Sequence, residues 1–289
     1  MMKMMKNILS ALALLAVLSS CSLKWRMDGQ DQTQQIAVEG WIEEGGFANV
    51  ILTQSIRLDP NTDETEIALG DIPIRWGKVT VSDGEQEEVL VGRMSDGIYP
   101  PFIYTGSRIR GEAGKKYTLK AEYSGRTLTA ETRIPAPAKI DDVEVIQSEL
   151  SDTLYSIRIS LSDDPSEKNW YKVFTMIRSE EHRYYSSFLG TVSDEVFSGD
   201  SHAELTVNRA FRHTRLDSYT PFFAKGDTVY VKLSQLPEDG FRFWSDYENE
   251  ISNGKNILFP STSNLSSNIS GGRGIWCGYG SDIKEVIIK

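Results

Sequence analysis

Two stretches that alternate with a period of two, joined at a glycine turn, limit this chain to a sheet fold with one covered face. In 117–123, Tyr117, Leu119, Ala121 and Tyr123 alternate with Thr118, Lys120 and Glu122. A turn at Ser124-Gly125 follows, and then Leu128, Ala130, Thr132 and Ile134 alternate with Thr129, Glu131 and Arg133. Neighbouring strand side chains point to opposite faces, so each stretch offers one dry face and one wet face. The pair predicts a hairpin packed against a second layer.

Similar short, β-branched segments run through 36–137. Ile36-Ala37-Val38-Glu39-Gly40-Trp41-Ile42 leads into a Glu/Gly-rich turn and then Val50-Ile51-Leu52-Thr53, while Val79, Val81, Val89 and Val91 flank the turn Ser82-Asp83-Gly84. Several strands over about 100 residues predict an immunoglobulin-like or transthyretin-like β-sandwich. Pro135-Ala136-Pro137 cannot continue a ladder and is expected to be a stiff linker. A second β-rich domain, 138–289, follows. It opens with 140–146 and the alternating Tyr155, Ile157, Ile159 and Leu161. The segment 170–177 is apolar on both faces and predicts a strand covered from both sides. Further strands are expected at 184–189, 203–207, 227–233 and 283–289. One helix is expected near 238–253. Pro237-Glu238-Asp239 suits its N-terminus, Phe241, Trp244, Tyr247 and Ile251 follow its spacing, and Asn253-Gly254 ends it. That aromatic stripe is expected to pack on the sheet rather than hold a sugar. The fold class is therefore mainly β: a sandwich, then a β-rich domain with a helix.

The N-terminus sets the compartment. Lys3 and Lys6 precede an apolar run from Ile8 to Leu18, too short for a transmembrane helix, and Leu18-Ser19-Ser20-Cys21 ends it. A leucine, two small residues and a cysteine form the bacterial lipobox. The sulfur of Cys21 would receive a diacylglyceryl group and the freed amine a further acyl chain, and two or more chains give stable attachment where one does not. Residues 1–20 are then a signal peptide, and 21–35, polar and without periodicity, a lipidated flexible tether. Losing Lys3 and Lys6 moves the formal charge from −10 to −12, with 29 basic against 41 acidic residues. That balance argues against nucleic acid and against an anionic lipid surface, so anchoring rests on the acyl chains. With Cys21 acylated, Cys277 has no disulfide partner and is expected as a small buried hydrophobe.

No catalytic constellation emerges. His182, His202 and His213 sit in no zinc motif, and His182 is expected in a solvated turn. No serine lies in GxSxG and Cys277 has no thiol-protease signature. Gly271-Gly272-Arg273-Gly274 lacks P-loop spacing and is expected as a tight loop feeding Ile275-Trp276 into the core. The paired acids Asp141-Asp142 and Asp163-Asp164 are expected in solvated turns. Asp59, Asn61 and Asp63 alternate oxygen donors as a calcium loop does, but Glu64 replaces its glycine and Gly70 its bidentate glutamate, so the full site fails. Asn264 and Asn268 open Asn-x-Ser sequences, which matter only in a eukaryotic secretory route. No metal and no cofactor are expected.

Three features together carry a resemblance. They are the Val38-Glu39-Gly40-Trp41 start, the Gly111…Gly114-Lys115-Lys116-Tyr117-Thr118-Leu119 hairpin with Ile134-Pro135-Ala136-Pro137, and 268–276 (Asn-Ile-Ser-Gly-Gly-Arg-Gly-Ile-Trp). With the lipobox, they resemble the domain-of-unknown-function 4249 family of lipoproteins from the Bacteroides–Flavobacterium group. The resemblance implies an outer-membrane lipoprotein working beside a TonB-dependent receptor, with no catalytic residues to carry over. Ser22-Leu23-Lys24-Trp25-Arg26 is basic where surface-exported members of that group carry acids, which leaves periplasmic and cell-surface facing both open. The expected function is thus a non-enzymatic accessory or binding component. The alternative is a carbohydrate- or ligand-binding surface module, with Tyr99-Pro100-Pro101-Phe102 and Tyr219-Thr220-Pro221-Phe222-Phe223 forming an aromatic platform.

Overall fold

Among the described residues, two short sheets lie on one face of a long sheet, and one α-helix lies on the other. The computed structural model describes residues 35–55, 72–95, 98, 100–149, 151–197, 201–210, 219–253 and 265–289. The signal peptide, Cys21, the Asp59–Asp63 loop, Tyr99, His213 and Asn264 lie outside the described residues.

The N-terminal half contributes β1 (Ile36–Glu43), β2 (Phe47–Gln54), β3 (Lys78–Ser82), β4 (Glu87–Val89), β5 (Val91–Met94), β6 (Phe102–Arg110), β7 (Lys116–Tyr123) and β8 (Arg126–Arg133). The second half contributes β9 (Ile140–Gln147), β10 (Leu154–Ser162), β11 (Trp170–Ile177), β12 (Tyr185–Ser193), β13 (His202–Val207), β14 (Phe223–Ala224), β15 (Thr228–Gln235), helix α1 (Glu238–Asn253) and β16 (Arg273–Ile287). The long sheet runs β12-β11-β15-β16-β1-β2-β6-β5, so strands from both halves share it. The sheet β4-β3-β7-β8 covers its N-terminal half, and β9, β10, β13 and β14 cover the other. One compact unit, Gln34–Lys289, therefore takes in both stretches.

Alternation decides which side chain enters which layer. Ile36, Val38 and Ile42 of β1 meet Tyr117, Leu119, Leu128 and Ala130 of the β7–β8 hairpin in the first core. The expected period-two pattern is observed there, with Tyr117, Leu119 and Ala121 buried. Val229, Val231 and Leu233 of β15 face Ile157, Ile159 and Leu161 of β10 in the second core. The segment 170–177 is buried on both faces, as its composition predicts. Among the described residues, no helix is long and apolar enough to cross a membrane.

The C-terminal strand departs from the sequence reading. It begins at Arg273 rather than Ile283, because its first half pairs in parallel with β1 (Ala37↔Arg273 to Glu43↔Tyr279) before its second half pairs with β15. Trp276 is fully buried in the first core and donates its indole N–H to Tyr117 O at 3.0 Å. Truncating such a residue to alanine costs about 3–5 kcal/mol. The glycines that look like loop signals are instead required by close backbone approach. Gly274 adopts φ +110, and a Cβ there would lie 1.9 Å from Val38 O. Gly271, at φ +81, supplies the expected tight loop just ahead. β15 ends opposite Gly280, so the backbone edge of 274–279 needs other partners. The Asn268 side chain supplies two, accepting from Trp276 N at 2.9 Å and donating to Trp276 O at 2.8 Å. Thr132 Oγ1 accepts from Gly278 N at 2.8 Å.

Candidate functional site

The side chains that β1, β16, β15 and β11 point away from the two cores form a second face. Glu39, Trp41 and Glu43 of β1 lie in register with Ile275, Cys277 and Tyr279 of β16. Lys232 comes from β15, and Lys172 and Phe174 from β11. Helix α1 covers only part of this face. At Gly240 its backbone comes so close to β16 that a Cβ would lie 2.6 Å from Cys277 Sγ. As expected, Phe241 and Trp244 pack on the sheet, against Trp170 (6.3 Å between centroids) and edge-on to Phe174 (5.5 Å). Glu248, one turn beyond Trp244, pairs with Lys172, whose side chain is fully buried. The Lys172 ammonium also donates to Ser187 O (3.2 Å), and Glu248 accepts from Gly190 N (3.0 Å). Burial pushes Lys172 down to about 8, and the Glu248 charge opposes that shift.

Between the helix and the β5–β6 edge the face is open as a cleft of about 460 Å³. Phe174 and Tyr279 are its buried aromatic members, and the rings of Trp41, Tyr184, Trp244 and Tyr247 are only half-buried. Two acid–base pairs cross it. Lys232 Nζ meets Glu43 Oε1 at 2.6 Å, and its ammonium lies 4.6 Å from the Tyr184 ring centroid and 4.8 Å from that of Phe174. Arg183 Nη2, from the β11–β12 turn, meets Glu39 Oε1 at 2.9 Å, with its guanidinium 5.3 Å from the Tyr185 ring. Arg93, on the opposite wall, is exposed and has no ion-pair partner among the described residues. Burial raises the hydroxyls of Tyr279, Tyr184 and Tyr247, so all three are neutral hydrogen-bonding groups at neutral pH. Trp244 Nε1 donates to the Tyr279 hydroxyl at 3.0 Å. A second cavity of about 380 Å³ shares Glu39 and Phe243 with the first and reaches Arg273.

The arrangement offers a ligand aromatic contact area and charged groups. Ser95, Ser186 and His182 reach the cleft, but Ser186 Oγ donates to Ser187 O at 3.3 Å, and no hydrogen bond joins either serine to the imidazole among the described contacts. Glu39 and Glu43 are each held by a cation.

The sequence-predicted residues fall elsewhere, apart from His182, which sits exposed at the cleft rim. Cys277 is fully buried, and burial pushes its thiol well up. His202 is exposed, and Ser162 Oγ, 3.4 Å from its Nδ1, donates instead to Asp141 Oδ2 at 2.7 Å. The serine proton thus goes to the carboxylate, which is not a nucleophile–base relation. Asp163 corrects the expectation of a solvated pair. It is buried and accepts from Asn169 Nδ2 (3.0 Å) and from the Tyr171 hydroxyl. The start of β11 is covered, so its polar tips need an internal acceptor. Asp164 stays exposed and caps the turn through Ser166. The expected aromatic platform is not assembled by the described residues. Phe223 is core, Tyr219 bonds Arg209 O at 2.6 Å, and Phe102 packs edge-on to Tyr104. Among the described residues, no group of three or more His, Cys, Asp or Glu could hold a metal ion. Sequence reasoning missed the cleft. Its one local signal was a lysine inside each of two apolar strands, Lys172 and Lys232.

A comparison with curated proteins finds no match. The family model described as "Domain of unknown function (DUF4249)" matches residues 24–285, nearly the whole chain, and the protein belongs to that family.

Proposed function

We propose that the protein is a non-enzymatic lipoprotein of the cell envelope, held in the outer membrane through Cys21 and working as a binding component beside a TonB-dependent receptor. The observation that carries the binding role is the charge pairing in the cleft. Glu39 is tied to Arg183 and Glu43 to Lys232, while half-buried rings remain available for contact. The Leu18-Ser19-Ser20-Cys21 stretch supports the location. A lipid anchor confines the chain to two dimensions and raises its effective concentration near a membrane partner. Affinity isolation from detergent-solubilised membranes tests the partnership. The expected result is co-recovery of a receptor, and recovery of the lipoprotein alone contradicts it.

A second reading, a ligand-binding module, is favoured by the size of the cleft. At about 460 Å³ it falls in the range of small-molecule sites, with rings supplying contact area and a few polar groups fixing orientation.

A further inference from the structure

The groups lining the cleft narrow its ligand to one chemical class, an inference that rests on the ligand-binding reading and not on the membrane anchor. The charges there run against the rest of the molecule. The chain carries a formal −10, yet among the described lining residues Arg93, Arg183 and Lys232 stand against Glu39 and Glu43, one positive charge in excess. Because the other two cations are already paired, the surplus resides on Arg93, which stands exposed on β5 across the cleft from the helix. A fork of guanidinium donors with no carboxylate partner among the described residues fits a ligand carboxylate.

The other walls narrow the class further. The rings of Trp41, Trp244 and Tyr247 are half-buried in the wall and offer flat apolar contact area. Glu39 and Glu43 keep lone pairs beyond those used by their cations, since each ionised carboxylate accepts about four hydrogen bonds. A ligand that displaces the water from those acceptors must donate to them in its place. A flat aromatic acid would meet the rings and Arg93 but would leave the two carboxylates without donors. A ring carrying hydroxyls, an apolar face and one carboxylate satisfies all three walls together. The geometry points to an acidic saccharide, a uronic-acid sugar or short oligosaccharide, with its carboxylate on Arg93, its hydroxyls on Glu39 and Glu43 and its ring face on the aromatic wall.

The test is titration of the full chain, purified in detergent, with trigalacturonic acid, with a glucuronate-containing disaccharide and with the methyl ester of trigalacturonic acid. Calorimetry and the fluorescence of Trp41 and Trp244 report binding. The ester keeps the ring and hydroxyls and removes the charge. At least one acid is expected to bind about tenfold or more tightly than the ester, the contribution of one charge-assisted hydrogen bond. Arg93→Gln should bring the acid to the affinity of the ester and leave the ester unchanged. Its unfolding midpoint should match that of the parent, since Arg93 is exposed and unpaired among the described residues. Equal affinity for acid and ester, or an acid preference that survives Arg93→Gln, overturns the inference but leaves the ligand-binding reading in place. Binding of none of the three overturns both.

Discussion

Replacing Glu248 by glutamine probes how the cleft's helical wall is fixed. The carboxylate is the only counter-charge to Lys172 among the described contacts, and the Lys172 side chain has no solvent exposure. Glutamine keeps an acceptor for Gly190 N but leaves the ammonium uncompensated. Removing one partner of a buried pair costs about 3–5 kcal/mol, far more than the ~0–1 kcal/mol of a surface pair. The pH dependence carries the sharper signature. With Glu248 present, Lys172 already titrates at about 8, below its ordinary 10.5, because burial disfavours the charged form. Between these values the unfolded chain binds more protons than the folded one, so this group's contribution to stability rises with pH. Without Glu248 the folded value falls further and the rise starts at lower pH. The deficit of the variant should therefore be largest in mildly acidic buffer and shrink as pH approaches 8. Denaturant unfolding at pH 6 and pH 9 measures it. A deficit below about 1 kcal/mol, or one equal at both pH values, refutes an ionised buried pair. A paired Lys172→Met, Glu248→Leu variant should recover most of the loss, as apolar replacements of buried ion pairs do.

Two further changes test the frame around the cleft. Glu88 is buried, and its carboxylate accepts from Ser107 N (2.6 Å), Arg108 N (3.0 Å), Ile109 N (2.9 Å) and Ser107 Oγ (3.0 Å). Although burial alone would raise it, these bonds together hold its value below the ordinary 4.5, so the stabilisation is complete above that pH and is lost as pH falls through the lowered value. Glu88→Gln should destabilise by about 2–3 kcal/mol at pH 7 and flatten the acid limb of an unfolding-versus-pH curve. Gly274→Ala should cost about 3 kcal/mol or more, read as a lower unfolding midpoint, because a Cβ at φ +110 would strike the Val38 carbonyl.

Much of the framework was legible because local pattern and burial agree. The 116–133 hairpin announces itself by alternation, 170–177 by being apolar on both faces, and helix α1 by Phe241, Trp244 and Tyr247 at helical spacing. Pairing between distant segments carries no local mark. Nothing in 36–43 signals that it will take 273–279 as a parallel neighbour, yet that pairing joins Glu39, Trp41 and Glu43 to Tyr279. The cleft was illegible for the same reason, since its lining comes from separate strands, a turn and the helix. Asp163 and Phe223 misled in opposite ways. Asp163 has the setting of a turn acid but serves Tyr171 internally, whereas Phe223 has the setting of an exposed platform but fills the second core. Lys172 and Lys232 were the informative anomalies, since a lysine in a covered strand needs a counter-charge.

Place and partnership depend on whether Cys21 carries fatty acid. Growth with radiolabelled palmitate, comparing the parent with Cys21→Ala, measures this directly. The parent should take up label and sediment with the outer membrane, while the substituted protein should carry none and leave that fraction. An unlabelled parent, or a Cys21→Ala protein that fractionates as the parent does, would contradict the proposal of an anchored binding protein.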